Sequence, residues 1–167
     1  MNHGISSYFA VGATTRCTQV GFRYRFWRPD LVDTLTTEQR QRCMSRVGSK
    51  NTTPEIVVRR LLYALGFRFR LHRKDLPGTP DIVISKLKSV ILVHGCFWHS
   101  HRGCRRGSRP ETNVQFWKSK LDANIRRDRT VQCRLRKLGW RILVVWECQA
   151  RNANLERRLK LFLRRHQ

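Results

Sequence analysis

Acidic side chains are scarce in this sequence. Eleven Asp and Glu stand against 35 Lys and Arg, for a net charge of +24 and a pI near 11.5. Such a chain repels itself unless it meets a polyanion, and nucleic acid is the commonest one. Runs apolar enough to span a bilayer are missing, and so is a basic amphipathic stripe with a lipid-facing side. Membrane binding therefore ranks below nucleic acid and below a ribosomal-type role. The N-terminus lacks a basic segment followed by a continuous apolar core, so no secretory signal is read and the expected setting is cytoplasmic. There the six cysteines point to metal ligation or free thiols rather than to a disulfide framework. Internal repeats and an interdomain linker are absent as well. A length of 167 residues, 40% of them hydrophobic, suits one domain with a real core.

Arginine far outnumbers lysine, which suits bidentate phosphate contacts and base-edge hydrogen bonds. Residues 1–32 show no sustained period and read as an N-terminal extension, disordered or non-native, ahead of a domain over 33–167. Thr36-Thr37-Glu38-Gln39 fits a capping box opening a helix through about Val47. Thr53 is expected to cap a second helix, with Pro54 in its first turn and Gly66 as its stop. Its apolar face would be Ile56, Val57, Leu61, Leu62 and Leu65. Phe67 to Leu71 alternates as a half-buried strand should, and strands are expected again at 81–84, 89–93 and 141–146. A long helix from about Asn113 to Leu138 carries Phe116, Trp117, Leu121, Ile125 and Leu135, and a basic helix runs from Asn152 to Arg165. This order describes a single α/β domain with a mixed central β-sheet flanked by helices.

One stretch, HGCFWHSHRGC over residues 94–104, concentrates chemistry. Cys96, His101 and Cys104 have the spacing C-x4-H-x2-C, which a compact turn can wrap around a zinc ion. Cys148, just past the RILVVW strand, is the expected fourth ligand if that strand lies beside the one ending at Val93. Cys133 competes for that place, but its mid-helix position favours a core thiol. Four protein ligands would make the zinc structural, one per chain.

Asp81, flanked by Pro80 and an apolar strand, stands apart from acids assignable to surface ion pairs. An Asp at a strand start can hold Mg²⁺, as in many nucleases, but the next strand reads Val93-His94-Gly95, without the usual acid and lysine. Val93 can then offer only its carbonyl, His94 and His99 the acid–base function, and Glu55 a further carboxylate. On residues alone the plain readings stay open: Pro-Asp is a common turn dipeptide, and a first-turn Glu complements the helix dipole.

From about Leu35 to Arg151 the chain resembles the very short patch repair (Vsr) DNA mismatch endonucleases. The segments that carry this, in order, are RQRCMSRVGSKNTTPE, LPGTPDIVI, ILVHGCFWHSHRGC, FWKSKLDANIRRDR and LGWRILVVWEC. The resemblance implies a type II restriction endonuclease-like fold with a structural zinc site. It implies a nick 5′ of the thymine in a T·G mismatch left by 5-methylcytosine deamination, with catalytic Mg²⁺. It places Asp81 and Val93 at the Mg²⁺, His99 as the catalytic histidine beside His94, and Glu55 at the acidic position. Cys96, His101, Cys104 and Cys148 fall on the zinc ligands. Phe97 and Trp98 fall on aromatics that wedge into DNA, with Trp117 among the DNA-contacting residues and Met44 inserted from the other groove. Asn124 and Asp128 match polar positions near the active site and are expected among the DNA-binding residues. The implied partners are T·G-mismatched duplex DNA and the mismatch-repair machinery, for a monomer at the bacterial nucleoid. Two other readings compete: a zinc-stabilised nucleic-acid-binding protein without catalysis, and a restriction-type enzyme cutting both strands, which would ordinarily need a dimer.

Overall fold

The computed structural model describes residues 50–164, with Thr36, Glu38, Gln39, Arg42 and Gly48 before them. The expected N-terminal extension, Met44 and the rest of the expected first helix lie outside the described residues. The capping box at that helix is formed: Thr36 N donates to Gln39 Oε1 at 3.0 Å, and Gln39 N to Thr36 Oγ1 at 3.2 Å.

Helix α1 spans Thr53–Ala64, and its N-cap is Thr52 rather than Thr53. The one-residue correction follows from Glu55, which then falls three residues past the cap and accepts from Thr52 N and Thr52 Oγ1. Its buried stripe is Val58 and Leu62, flanked by Val57, Leu61 and Leu65. Ile56, expected in that stripe, is instead 36% exposed, because two residues turn the helix by about 200° away from Val58.

Four strands follow: β1 (Arg70–Leu71), β2 (Ile82–Ile84), β3 (Ser89–His94) and, after helix α2 (Val114–Lys137), β4 (Arg141–Trp146). Helix α3 (Asn154–Arg164) ends the described chain. The strands lie in the order β1-β2-β3-β4, antiparallel at the first two pairings and parallel between β3 and β4, where α2 makes the crossover. The expected Phe67–Leu71 strand is cut to Arg70 and Leu71. Phe67 and Phe69 still pack on the core, as their alternation implies, but only two residues find partners on β2. Gly66 and Gly139, at φ 78° and 77°, close α1 and α2 with the same pair of bonds. Gly66 N donates to Tyr63 O and Phe67 N to Leu62 O; Gly139 N donates to Arg136 O and Trp140 N to Leu135 O.

Side chains alternate across the sheet, so its two faces build two clusters. Ile82, Ile84, Ile91 and Val145 meet α1 and the Leu155, Leu159, Leu163 stripe of α3 on one face. Val83 and Val90 meet Leu76 and Leu135 of α2 on the other. The result is the mixed sheet with helices on both faces that the order of elements implies. Among the described residues no helix is long and apolar enough to cross a membrane. Cys133, expected in the core, is exposed, because it falls between Val131 and Leu135 and points away from the sheet.

Candidate functional site

Chemistry collects where β3 and β4 end together. Their parallel register runs from Ser89 opposite Arg141 to His94 opposite Trp146, and Glu147 N donates to His94 O at 2.9 Å. Cys96 and Cys148 each lie two residues past that last pair, so the register itself brings two thiols together. The loop then folds back by successive backbone bonds: His101 N to Cys96 O, Cys104 N to His101 O, and Gly107 N to Cys104 O. Gly107 is required by close approach, since a Cβ there would stand 2.4 Å from His101 O.

The ligand atoms of Cys96, His101, Cys104 and Cys148 all lie within 4.8 Å of one another. Cys96 Sγ and Cys148 Sγ stand 3.5 and 3.4 Å from His101 Nδ1. A tetrahedron with metal–sulfur bonds of 2.3 Å has edges of about 3.8 Å, so the group fits a metal of that size. Burial pushes the fully buried Cys96 thiol up to about 12. A bound cation would replace its proton. Trp146 stacks on His101, centroids 4.1 Å apart at 8°, and holds the ring in place.

On the other side of this loop, His94 and His99 stack at 4.0 Å and 12°. His99 Nδ1 lies 2.5 Å from Asp128 Oδ2 on α2. The ligand atoms of His94, His99 and Asp128 also lie within 4.8 Å of one another, but the hydrogen bond to Asp128 already occupies His99 Nδ1. His94 is 7% exposed, and burial followed by the charge of His99 lowers its pKa to about 4, leaving it neutral near pH 7. Burial also opposes ionisation of Asp128, but the hydrogen bond and charge of His99 outweigh it and hold the carboxylate below its ordinary range.

Asp81 immediately precedes β2, and its Oδ2 accepts from Val93 N at 2.8 Å. That bond fixes the carboxylate against β3 at the residue before His94. Burial pushes its pKa up; the Val93 bond pulls down, the charge of Glu55 pushes up, and His72 and His99 pull down. No donor to Asp81 Oδ1 is found among the described residues, so one oxygen of a poorly solvated carboxylate is left for a cation.

Glu55, 3% exposed, is heavily engaged. It accepts from Asn51 N at 3.1 Å, from Thr52 N and Thr52 Oγ1, and from Arg59 Nη2 at 2.6 Å. It caps α1 and anchors Arg59, and only its charge reaches Asp81. His72 is a residue that sequence reasoning does not single out. It holds a left-handed backbone at φ 47°, with Nε2 at 3.8 Å from Glu55 Oε2 and 3.2 Å from Arg59 Nη2. No pattern around it marks it; only the β1–β2 pairing brings it beside Asp81.

Trp117, Leu121, Asn124 and Asp128 advance along α2 in steps of three and four, so they share the face turned to the loop. Phe97 sits edge-on to Trp98 at 5.1 Å and to Trp117 at 5.3 Å, a half-buried aromatic group beside the histidines. Asn124 Nδ2 donates to Trp98 O at 3.0 Å and so holds the aromatic turn. Phe116, expected on the apolar face of this helix, is 50% exposed.

The family described as DNA mismatch endonuclease Vsr matches residues 32–106. Among solved structures, the "Homing Endonuclease I-Bth0305I Catalytic Domain" is similar with a TM-score of 0.41 at 20% identity, over 67% of this chain and 94% of that one. "Type II nicking enzyme V.XorIIP" of Xanthomonas oryzae pv. oryzae (strain KACC10331 / KXO85) is 49% identical over 134 residues, covering 80% of this chain and 98% of the relative. "DNA mismatch endonuclease Vsr" of Escherichia coli (strain K12) is 39% identical over 121 residues, covering 72% and 77%. With strand-end carboxylate, paired histidines and four-ligand loop in place, these sequence relatives make the chain a member of the Vsr family of DNA mismatch endonucleases.

Proposed function

We propose that this DNA endonuclease nicks one strand of a duplex on the 5′ side of the thymine in a T·G mismatch, the product of 5-methylcytosine deamination, in very short patch repair. The observation that carries the reading is the convergence of Asp81, His94 and the His99–Asp128 pair at the end of β3. With Nδ1 turned to Asp128, His99 has Nε2 as the atom that moves a proton during phosphodiester cleavage. Neutral His94, stacked on it, keeps that ring in its plane and offers a hydrogen bond to the phosphate. Asp81 and the Val93 carbonyl would hold Mg²⁺, which supplies positive charge against the phosphodiester when bound. Glu55 acts as a positioning residue, setting α1, Arg59 and His72 beside Asp81.

Cys96, His101, Cys104 and Cys148 would hold one structural Zn²⁺, with every coordination position filled by protein. Phe97, Trp98 and Trp117 form the wedge at the mismatch, where unstacking costs least, and Met44 enters from the other groove. The relatives, named as a nicking enzyme and a mismatch endonuclease, support a single-strand cut at a mispair. The partners are mismatched duplex DNA and the repair machinery, met by a monomer at the bacterial nucleoid. A purely binding protein would share the charge and the zinc loop but has no use for Asp81 against Val93 or for Asp128 on His99. The test is metal dependence on a T·G duplex. Nicking is expected with Mg²⁺, none with EDTA and none from Asp81→Ala; normal nicking by Asp81→Ala would overturn the catalytic assignment.

A further inference from the structure

Between the zinc loop and α2 lies a concave site that the cleavage chemistry does not use. Its volume is about 540 Å³, and Ser100, Arg102, Arg105, Arg109 and Ile125 line it. The loop carries four arginines, and their partners divide them. Arg106 faces Glu147 at 3.5 Å, and Arg109 is tied to Asp122 at 2.5 Å. Arg102 and Arg105 are exposed and have no acidic partner among the described residues. Ser100 holds a left-handed backbone at φ 48°, and its Oγ is buried with no hydrogen-bond partner. That hydroxyl is closed off from solvent, so the anion-binding capacity of the concavity lies in its two exposed, unneutralised guanidinium groups.

Ser100 is the residue between His99 and His101, so the concavity begins one residue from the proton-transferring ring. Successive phosphates of one strand advance about 3.4 Å along the duplex axis. A strand that brings one phosphate to His99 therefore carries the next ones along this loop. We propose that Arg102 and Arg105, carried by the turn at Ser100, form a binding site for a backbone phosphodiester flanking the cut, which sets the strand's position along the site. Arg109, held by Asp122, forms its outer wall. The zinc loop then has two working faces, one moving protons and one gripping the strand. This rests on the DNA endonuclease reading but not on the T·G preference, since a phosphate contact reads no base.

Anisotropy of a labelled T·G duplex, with Ca²⁺ in place of Mg²⁺, tests this. Single methylphosphonate groups would remove one phosphate charge at a time at three positions on each side of the cut. In the wild type, one flanking position should weaken binding by about tenfold. Arg102→Ala/Arg105→Ala should raise Kd by about tenfold or more and abolish sensitivity at that position. It should also lower the log–log salt slope by about 1 for each phosphate no longer neutralised. Arg102→Lys/Arg105→Lys should keep the salt slope and give up part of the affinity. Unchanged zinc content and circular dichroism would show that both variants fold. An unchanged Kd in the alanine variant, or a wild-type methylphosphonate profile in it, overturns the proposal. The same scan on a T·A duplex separates the claims. Loss of the phosphate effect on both duplexes, with no wild-type preference for T·G, would leave the phosphate site standing and remove the mismatch reading.

Discussion

His99 Nδ1 and Asp128 Oδ2 stand 2.5 Å apart although 29 positions separate the residues in the chain. The contact depends on the α2 crossover, which carries Asp128 back over the loop that follows β3. It occupies one nitrogen of His99 and leaves Nε2 as the atom for the proposed proton transfer.

Asp128→Asn preserves the shape and removes the charge. An amide can accept from Nδ1 or donate to it, so the tautomer is no longer fixed. Single-turnover nicking should fall by about 10²-fold or more, with duplex Kd changed less than about threefold. Wild-type nicking by the variant would remove Asp128 from the reaction.

The Cys96, His101, Cys104 and Cys148 group joins two parallel strand ends, so if it holds the proposed zinc, removing a ligand should affect stability as well as metal content. Cys148→Ser should lower the zinc bound per chain. A metal present at a thousandfold above Kd stabilises by about 4 kcal/mol, so melting should drop by roughly 10 °C for a domain of this size. Unchanged zinc would move the fourth ligand elsewhere.

Much of this is legible in the sequence, and the missing parts share a cause. Gly66 and Gly139 announce helix ends through local backbone chemistry, and the β4 limits follow from an unbroken apolar run. Cys148 can be matched to Cys96 because parallel strands that start together end together. Asp128 can be placed near the active site only through the resemblance, because its partner lies in another element. His72 depends in the same way on a two-residue strand pairing. Cys133 and Ile56 depart from expectation because periodicity gives the existence of a face more reliably than its centre.

Asp81 carries a cost in the metal-free protein. Its pKa is raised on folding above the ordinary carboxylate value of 3.8, so ionisation above the folded value opposes folding. Asp81→Asn should therefore melt at a higher temperature than wild type at pH 7 without Mg²⁺, and should not nick. The stability difference should shrink as pH falls through the raised pKa and reach its low limit below 3.8. A less stable Asp81→Asn at pH 7 would contradict this.

The aromatic turn should matter more for mispaired than for paired DNA. Trp98→Ala should weaken T·G duplex binding by about 1–3 kcal/mol, roughly five- to 150-fold. A fully paired duplex, held by phosphate contacts, should change by less than about threefold. Equal losses on both would make Trp98 packing for the loop rather than a wedge.

Strand-resolved cleavage tests the central claim most directly. Each strand of a duplex with one T·G pair in a methyltransferase-type sequence is labelled in turn, beside a T·A control, with Mg²⁺ present. The expected result is a single cut in the T strand, 5′ of the mispaired thymine, with the G strand and the control intact. Cleavage of both strands, or equal cutting of the T·A control, would contradict it.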